Sequence, residues 1–458
     1  MMKHIHLIGI GGTGISSIAR VLLERGYVVS GSDRALSSLA LSLKNAGVQV
    51  FEGHCAANIQ GADLVVRSSA IPDDNVEVAA AHAAGIPVLK RSDFLGQMME
   101  EDTSIAVAGS HGKTTTTDML ASTLTALGLD PSFILGGVST SLSSNAHAGS
   151  GKFFVIEADE YDHMFLGLNP SVILITNVDY DHPDCFPTPE SYLAAFCEFT
   201  HRLRPDGLLV TCEDQPRSKS LLKELSKNQR GITYGFSSLS DYRAANLKVN
   251  SQGGTSFDVI VKQSSSPLIS VQLRVPGEHN VLNALGVLAV VHQLGLNLEQ
   301  AKDALSQYKG AQRRFEIIGE RAGITVVSDY AHNPSKIRAA LSAARQRFPE
   351  RRLIAIWQPH TYSRTRTLEA DFIASLQNSD LVIVTDIYAS REKPEEYSSK
   401  QIVEKMTTVN ARYISGFDQV VAFLNSILKS GDVVLVLSAG DADQICTRVL
   451  DQLNERKG

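Results

Sequence analysis

Short apolar runs alternate along this chain with longer stretches in which apolar residues recur every third or fourth position. The first run is Ile5-His6-Leu7-Ile8, and the amphipathic stretch after it reaches Arg25 before the helix-ending Gly26. Tyr27–Ser30, Asp63–Val66 and Ile86–Leu89 follow as further strand-like runs. The alternation resumes at Ser104–Ala108, Phe153–Ile156 and Val172–Thr176, and again at Ile324–Val327, Leu353–Ile356, Leu381–Val384 and Val433–Val436. Apolar strands separated by helices predict parallel sheets covered by helices on both faces, an α/β architecture. The stretch from Ile232 to Val275 is different, alternating and rich in Ser and Gly, which predicts an antiparallel addition. A helix over Asn280–Leu294 is predicted to return to the same domain. Breaks near Glu100-Glu101-Asp102 and before Gln312-Arg313-Arg314-Phe315-Glu316 divide the chain into three predicted domains, 1–102, 103–311 and 312–458.

Composition agrees with several well-packed cores. The chain has 458 residues, 43% of them hydrophobic and 20% charged, which excludes a disordered or fibrous protein. A net charge of -6 with no basic run excludes a global field for nucleic acid, so anionic ligands must be met by local sites. No apolar run is long enough to span a bilayer, and the first residues enter a strand pattern with no export-signal pattern. The five cysteines show no C-x-x-C pairing, which fits reduced structural thiols. The expectation is a cytoplasmic protein, monomer or homodimer, acting on small molecules without nucleic acid or membrane.

Three loops at strand ends carry the chemistry. Gly9-x-Gly11-x-x-Gly14, with Gly12 and Thr13 between, follows a strand and opens a helix, so backbone N–H groups and a helix N-terminus can meet a diphosphate. Asp33, after the second strand, is placed for a ribose hydroxyl. These residues leave open NAD, another diphosphate, or a tight turn without a ligand. The second loop, Gly109-Ser110-His111-Gly112-Lys113-Thr114-Thr115, departs from the usual phosphate loop because Val107 replaces its leading glycine. Lys113 can still neutralise β- and γ-phosphate charge and Thr114 can ligate Mg²⁺, which predicts an ATP-using enzyme. Glu157 ends the next strand, in Glu157-Ala158-Asp159-Glu160, as the predicted Mg²⁺ ligand; a solvated acidic turn is the plainer alternative. His182 ends the strand after that, within Thr176-Asn177-Val178-Asp179-Tyr180-Asp181-His182-Pro183, positioned to bind a cation or orient a phosphate.

Taken together, these motifs resemble the Mur ligase family, ATP-dependent amide-bond ligases that build the peptidoglycan stem peptide. The resemblance extends through Gly31-Ser32-Asp33, Gly277-Glu278-His279-Asn280 with Asn283, Arg313-Arg314-Phe315-Glu316, Asp329-Tyr330-Ala331-His332-Asn333-Pro334 and Gln358-Pro359-His360-Thr361-Tyr362-Ser363-Arg364-Thr365-Arg366. It implies an N-terminal Rossmann-like domain for a UDP-sugar, a central P-loop ATPase-type domain and a C-terminal Rossmann-like domain. Gly9, Gly11, Gly12, Thr13, Gly14, Asp33 and Ser69 would hold the UDP-sugar. ATP would meet residues 109–115, Asn280, Asn283, Arg314, Asp329 and His332, with metal on Thr114, Glu157 and His182. His360, Tyr362, Arg364 and Arg366 would face the amino acid and the muramyl carboxylate. Lys113, Glu157, His182 and Arg314 would be catalytic.

Within the family, the pattern is nearest the member that joins L-alanine to UDP-N-acetylmuramate through an acyl phosphate. Other members carry a modified lysine after the Asp-His pair, and residues 183–204 here contain no lysine. Two departures stand out: Asn333 where a second histidine is common, and Ser438 where glycine is common. The alternatives are a recycling ligase that attaches a preformed peptide, a nicotinamide oxidoreductase built on the first loop, and a silent nucleotide-binding module.

Overall fold

The computed structural model describes residues 3–183, 185–262, 264, 266–390 and 392–455. It contains three sheets. The first is formed by β1 (His4–Ile8), β2 (Val28–Asp33), β3 (Gln49–Glu52), β4 (Leu64–Arg67) and β5 (Val88–Lys90), in the order β3-β2-β1-β4-β5, with every pairing parallel. The second comprises β6 (Thr103–Ala108), β7 (Ser132–Ile134), β8 (Ala146–His147), β9 (Phe153–Glu157), β10 (Val172–Ile175), β11 (Leu208–Cys212), β12 (Arg230–Gly235), β13 (Tyr242–Val249), β14 (Thr255–Val261) and β15 (Ile269–Gln272). Their order is β15-β14-β13-β12-β11-β10-β6-β9-β7-β8. The third holds β16 (Glu316–Arg321), β17 (Ile324–Asp329), β18 (Leu353–Trp357), β19 (Leu381–Val384), β20 (Ala411–Tyr413) and β21 (Val433–Leu437), ordered β16-β17-β21-β18-β19-β20.

The long-range contacts group the chain into two compact units: residues 1–246, 257–271 and 282–308, and residues 247–256, 272–281 and 309–458. In the second unit, period two explains why its strands are apolar throughout. Val327, Ala355, Trp357, Leu435 and Leu437 pack into one core, while Val326, Ile354, Ile356, Val434 and Val436 pack into another. Successive side chains point to opposite faces, and helices cover both. In the first unit, Ile15, Ile18, Val21 and Leu22 put one side of the helix Thr13–Glu24 into a core that also holds Leu7, Phe154, Phe165, Phe196 and Phe199. Phe165 stacks on Phe199 at 4.5 Å between ring centroids.

The structure alters the sequence reading in two places. The stretch after Ile232 does not begin antiparallel: β12 pairs parallel with β11, and β13 pairs parallel with β12, so the parallel sheet runs further than alternation suggested. At the other end, β16 is an antiparallel edge strand with a register shift between Ile317 and Gly319, at a site read only as a domain break.

The first sheet buries a polar network. Glu77, fully buried, accepts from Ser32 Oγ at 2.5 Å, Asn58 Nδ2 at 2.6 Å and the Cys55 amide at 3.1 Å, with His6 Nε2 at 3.4 Å. Burial alone would raise its pKa, but these partners hold it down to about 2. A carboxyl depressed in the folded state adds stability above its unfolded pKa near 4.5, and that contribution fades as pH falls towards 2. Glu77→Ala should therefore cost about 3–5 kcal/mol at pH 7, because it strands buried donors. Urea midpoints of native and variant protein should draw closer without meeting as pH drops below 4.5, because the stranded donors cost stability at any pH; a gap that is constant with pH would contradict the account.

Candidate active site

The phosphate loop grows out of β6, the strand flanked by β10 and β9. Three loops therefore emerge side by side at the carboxyl ends of β6, β9 and β10, where open α/β sheets bind ligands. Gly109 and Gly112 take φ of 137° and 82°, which an L side chain resists, and a Cβ on Gly112 would meet Asn283 Oδ1 at 2.8 Å. The loop is pinned from the β10 side: the His111 amide donates to Asn177 Oδ1 at 2.9 Å, and Thr176 Oγ1 donates to His111 O at 2.6 Å. The helix Lys113–Ala126 then starts at Gly112, an N-cap with no side-chain hydrogen bond, so a helix N-terminus stands at the loop.

Lys113 Nζ meets Glu160 Oε2 at 2.5 Å, with the lysine side chain 13% exposed and the glutamate fully buried. Burial would lower the lysine pKa, yet Glu160, Asp159 and Glu157 together hold it above its ordinary value. Glu160 Oε1 also accepts from Tyr192 OH at 3.0 Å, and Tyr192 OH lies 2.8 Å from Ser110 Oγ. His182 Nε2 stands 3.8 Å from the same Glu160 oxygen and packs edge-on against Tyr161. Thr114 Oγ1 donates to Glu157 Oε1 at 3.1 Å, while Glu157 Oε2 accepts from the Gly136 amide at 2.8 Å. Lys113, Thr114, Glu157, His182 and Asn283 are thus gathered within the first unit.

At the N-terminal loop, Asp33 Oδ2 accepts from the Gly11 amide at 2.8 Å, and Ser37 Oγ donates to Gly11 O at 2.9 Å. Gly12 caps the helix Thr13–Glu24. Ser69 lines a cavity of about 870 Å³ together with Arg67, Lys90, Arg91 and His163.

The second unit gathers the rest. Arg313 and Arg314 both lie over the Tyr330 ring at 5.0 Å. Asp329 accepts from the Phe315 and Ala331 amides at 2.8 Å each; burial raises its pKa against the opposing pull of Arg314. The His332 ring faces His360 at 5.9 Å, and His360 stacks on Tyr388 at 5.6 Å. Burial, aided by Arg364, lowers the His360 pKa to about 4, so the ring is neutral at pH 7. Glu392 accepts from the Tyr362 and Ser363 amides, and Arg366 pairs with Glu395. Asn280 sits here too, its Nδ2 donating to Pro276 O at 2.7 Å.

Comparison with known proteins bears directly on this arrangement. The model of the Mur ligase middle domain matches residues 107–291, that of the Mur ligase family catalytic domain 4–103, and that of the Mur ligase glutamate ligase domain 313–440. A UDP-N-acetylmuramate–L-alanine ligase from Syntrophus aciditrophicus is 40% identical over 99% of this chain and 94% of its own length. One from Syntrophomonas wolfei is 41% identical over 99% and 98%. The chain belongs to the Mur ligase family. Among solved structures, UDP-N-acetylmuramate–alanine ligase from Thermotoga maritima aligns over the whole of both chains with a TM-score of 0.83 and 29% identity. A murein peptide ligase from Psychrobacter arcticus aligns over 98% of each chain with a TM-score of 0.70 and 26% identity.

The two departures from the common Mur ligase pattern have structural roles. Asn333 caps the helix Pro334–Arg347, its Oδ1 accepting from the Lys336 amide. Ser438 Oγ donates to Gln358 Oε1 at 2.6 Å and accepts from the Gly440 amide. Glu160 and Tyr192 were missed as site residues. Glu160 lay inside a motif already singled out, whereas nothing local marks Tyr192, which sits in an ordinary amphipathic helix.

Mg²⁺ suits the Thr114–Glu157 pair. Among the described residues no group of three or more His, Cys, Asp or Glu forms a closed metal cage. One hydroxyl and one carboxylate are the sparse oxygen set with which Mg²⁺ binds nucleotide phosphates. Replacing Lys113 with Met should lower ATP-driven turnover on the order of a hundredfold or more. Tyr192→Phe removes a donor to a buried carboxylate and should cost about 1.5–3 kcal/mol in thermal or urea unfolding, with a far smaller loss of rate than the lysine variant. A loss of turnover in the lysine variant that is fully accounted for by its loss of folded protein would show that the lysine acts through folding alone.

Proposed function

We infer that this enzyme joins L-alanine to the lactyl carboxylate of UDP-N-acetylmuramate at the expense of ATP, in peptidoglycan precursor synthesis. What carries the reading is the intact Lys113–Thr114–Glu157 arrangement in a chain about 40% identical, end to end, to UDP-N-acetylmuramate–L-alanine ligases. The nicotinamide alternative falls with family membership.

The substrate carboxylate attacks the γ-phosphorus of ATP, the bond to the β,γ-bridging oxygen breaks, and ADP leaves. The alanine amine then attacks the resulting acyl phosphate; inorganic phosphate departs and the amine gives up a proton. Carboxylate and triphosphate repel, so Lys113 is the group that offsets their charge in the first step. Thr114 and Glu157, with His182, are the residues proposed to hold Mg²⁺, which when bound neutralises β- and γ-phosphate oxygens. Residues 1–102 take the UDP-sugar through the glycine loop, Asp33 and Ser69, residues 103–311 take ATP, and residues 312–458 supply Arg314, Asp329 and His332 to the nucleotide. His360, Tyr362, Arg364 and Arg366 receive the amino acid and the muramyl carboxylate. No helix among the described residues is long and apolar enough to cross a membrane; we place the enzyme in the cytoplasm, as a monomer or homodimer.

Phosphate release should require ATP, UDP-N-acetylmuramate and L-alanine together. Omitting alanine and adding hydroxylamine should trap the activated carboxyl as a hydroxamate. Release with a preformed tripeptide in place of alanine would transfer the assignment to the recycling ligase, and no release with either acceptor would defeat it.

A further inference from the structure

Gly14 is the last glycine of the Gly9-x-Gly11-x-x-Gly14 motif, and its backbone has no need of glycine's freedom, because it lies inside the helix Thr13–Glu24. Space is the constraint. A Cβ on Gly14 would fall within the guanidinium of Arg91, the first residue of the helix Arg91–Met98.

That guanidinium is in unusual company. Its Nε and Nη2 both point at Met164 Sδ, Nε at 2.8 Å. A thioether is a weak acceptor, whereas a guanidinium fork matches carboxylate or phosphate oxygens. The cation also stands against the first turn of a helix whose N-terminus is itself positive, so helix dipole and arginine repel each other. Asp159 and Asp162 are the carboxylates whose charge acts on it. Met164 is presented by an irregular turn in which Asp162 and His163 adopt φ of 55° and 54°, a conformation uncommon for non-glycine residues. Arg91 and Ser69 line the same cavity.

We propose that Arg91 grips a phosphate of the UDP-sugar's diphosphate, with Gly14 kept bare so that the arginine can cross the loop. Exchanging the thioether for phosphate oxygens turns two weak hydrogen bonds into charge-assisted ones and cancels the repulsion from the helix dipole. The assignment rests on the reading that the first loop holds a UDP-sugar.

Calorimetric titration of UDP-N-acetylmuramate and, separately, of ATP tests it on Arg91→Gln, Arg91→Lys and Gly14→Ala. The glutamine variant should bind the UDP-sugar on the order of tenfold to a hundredfold more weakly, with ATP affinity within about twofold of native. Lysine keeps the charge but not the fork and should fall between the two. Gly14→Ala, which displaces the guanidinium without removing it, should shift UDP-sugar affinity in the same direction. Native-like UDP-sugar affinity in Arg91→Gln, or an equal loss of ATP affinity, would reduce Arg91 to a structural strut. Native protein that takes up ATP but no UDP-sugar would instead overturn the functional reading, and the assignment with it.

Discussion

The ion pair between Lys113 and Glu160 is the constraint on which the rest of the ATP site depends. A nearly buried ammonium at the end of a parallel sheet is costly unless an anion faces it. Glu160 meets that need at 2.5 Å, and because it is fully buried it needs donors of its own. Tyr192 provides one and links on to Ser110 in the phosphate loop. The loop, the turn after β9 and the helix Pro189–His201 are therefore tied through one carboxylate. In the proposed function an arriving γ-phosphate would compete with that carboxylate for the same lysine, with the positive charge already in place.

Topology supplies what the ion pair needs. Strand β6 has β9 on one side and β10 on the other, and β1 likewise lies between β2 and β4. Each sheet reverses its winding direction beside the strand that carries a glycine loop, which opens a crevice at the carboxyl ends. The third sheet is built differently: β17 lies between the antiparallel β16 and the parallel β21, and the loops that come together follow β17, β21 and β18. Asp329 ends β17, Gln358 follows β18 and Ser438 follows β21, and Ser438 bonds Gln358 while Arg313 donates to the Ser438 carbonyl.

The legibility of this protein followed the range of its interactions. Lys113, Thr114 and Glu157 could be read because loop chemistry is local: a strand, a glycine and a short run of functional groups leave a recognisable string. Tyr192 could not, because its hydroxyl matters through Glu160, 32 residues away, and Ser110, 82 residues away. Arg91 was hidden for the same reason, since its partner Gly14 reads as an ordinary member of a glycine fingerprint until the space above it is seen. The parallel pairing of β12 and β13 escaped because alternation reports how buried a strand's faces are, not its direction. Asn333 and Ser438 looked like losses against a family pattern; one is a helix cap and the other a hydrogen-bonding hub.

A single short segment connects the N-terminal glycine loop and the phosphate loop of the first unit. Glu160 ends the acidic motif and faces Lys113; four residues later Met164 faces Arg91. Between them the backbone passes through two left-handed residues, at a cost of about 1 kcal/mol each. A regular helical turn would set residues 160 and 164 on the same side. The left-handed pair sends them to different partners, and it does so with Asp and His, side chains that tolerate this conformation better than most. The strain therefore has an identifiable return: it lets one stretch of chain serve the cation beside the phosphate loop and the cation beside the glycine loop, linking the two loops through a few covalent bonds rather than through a long chain of packed side chains.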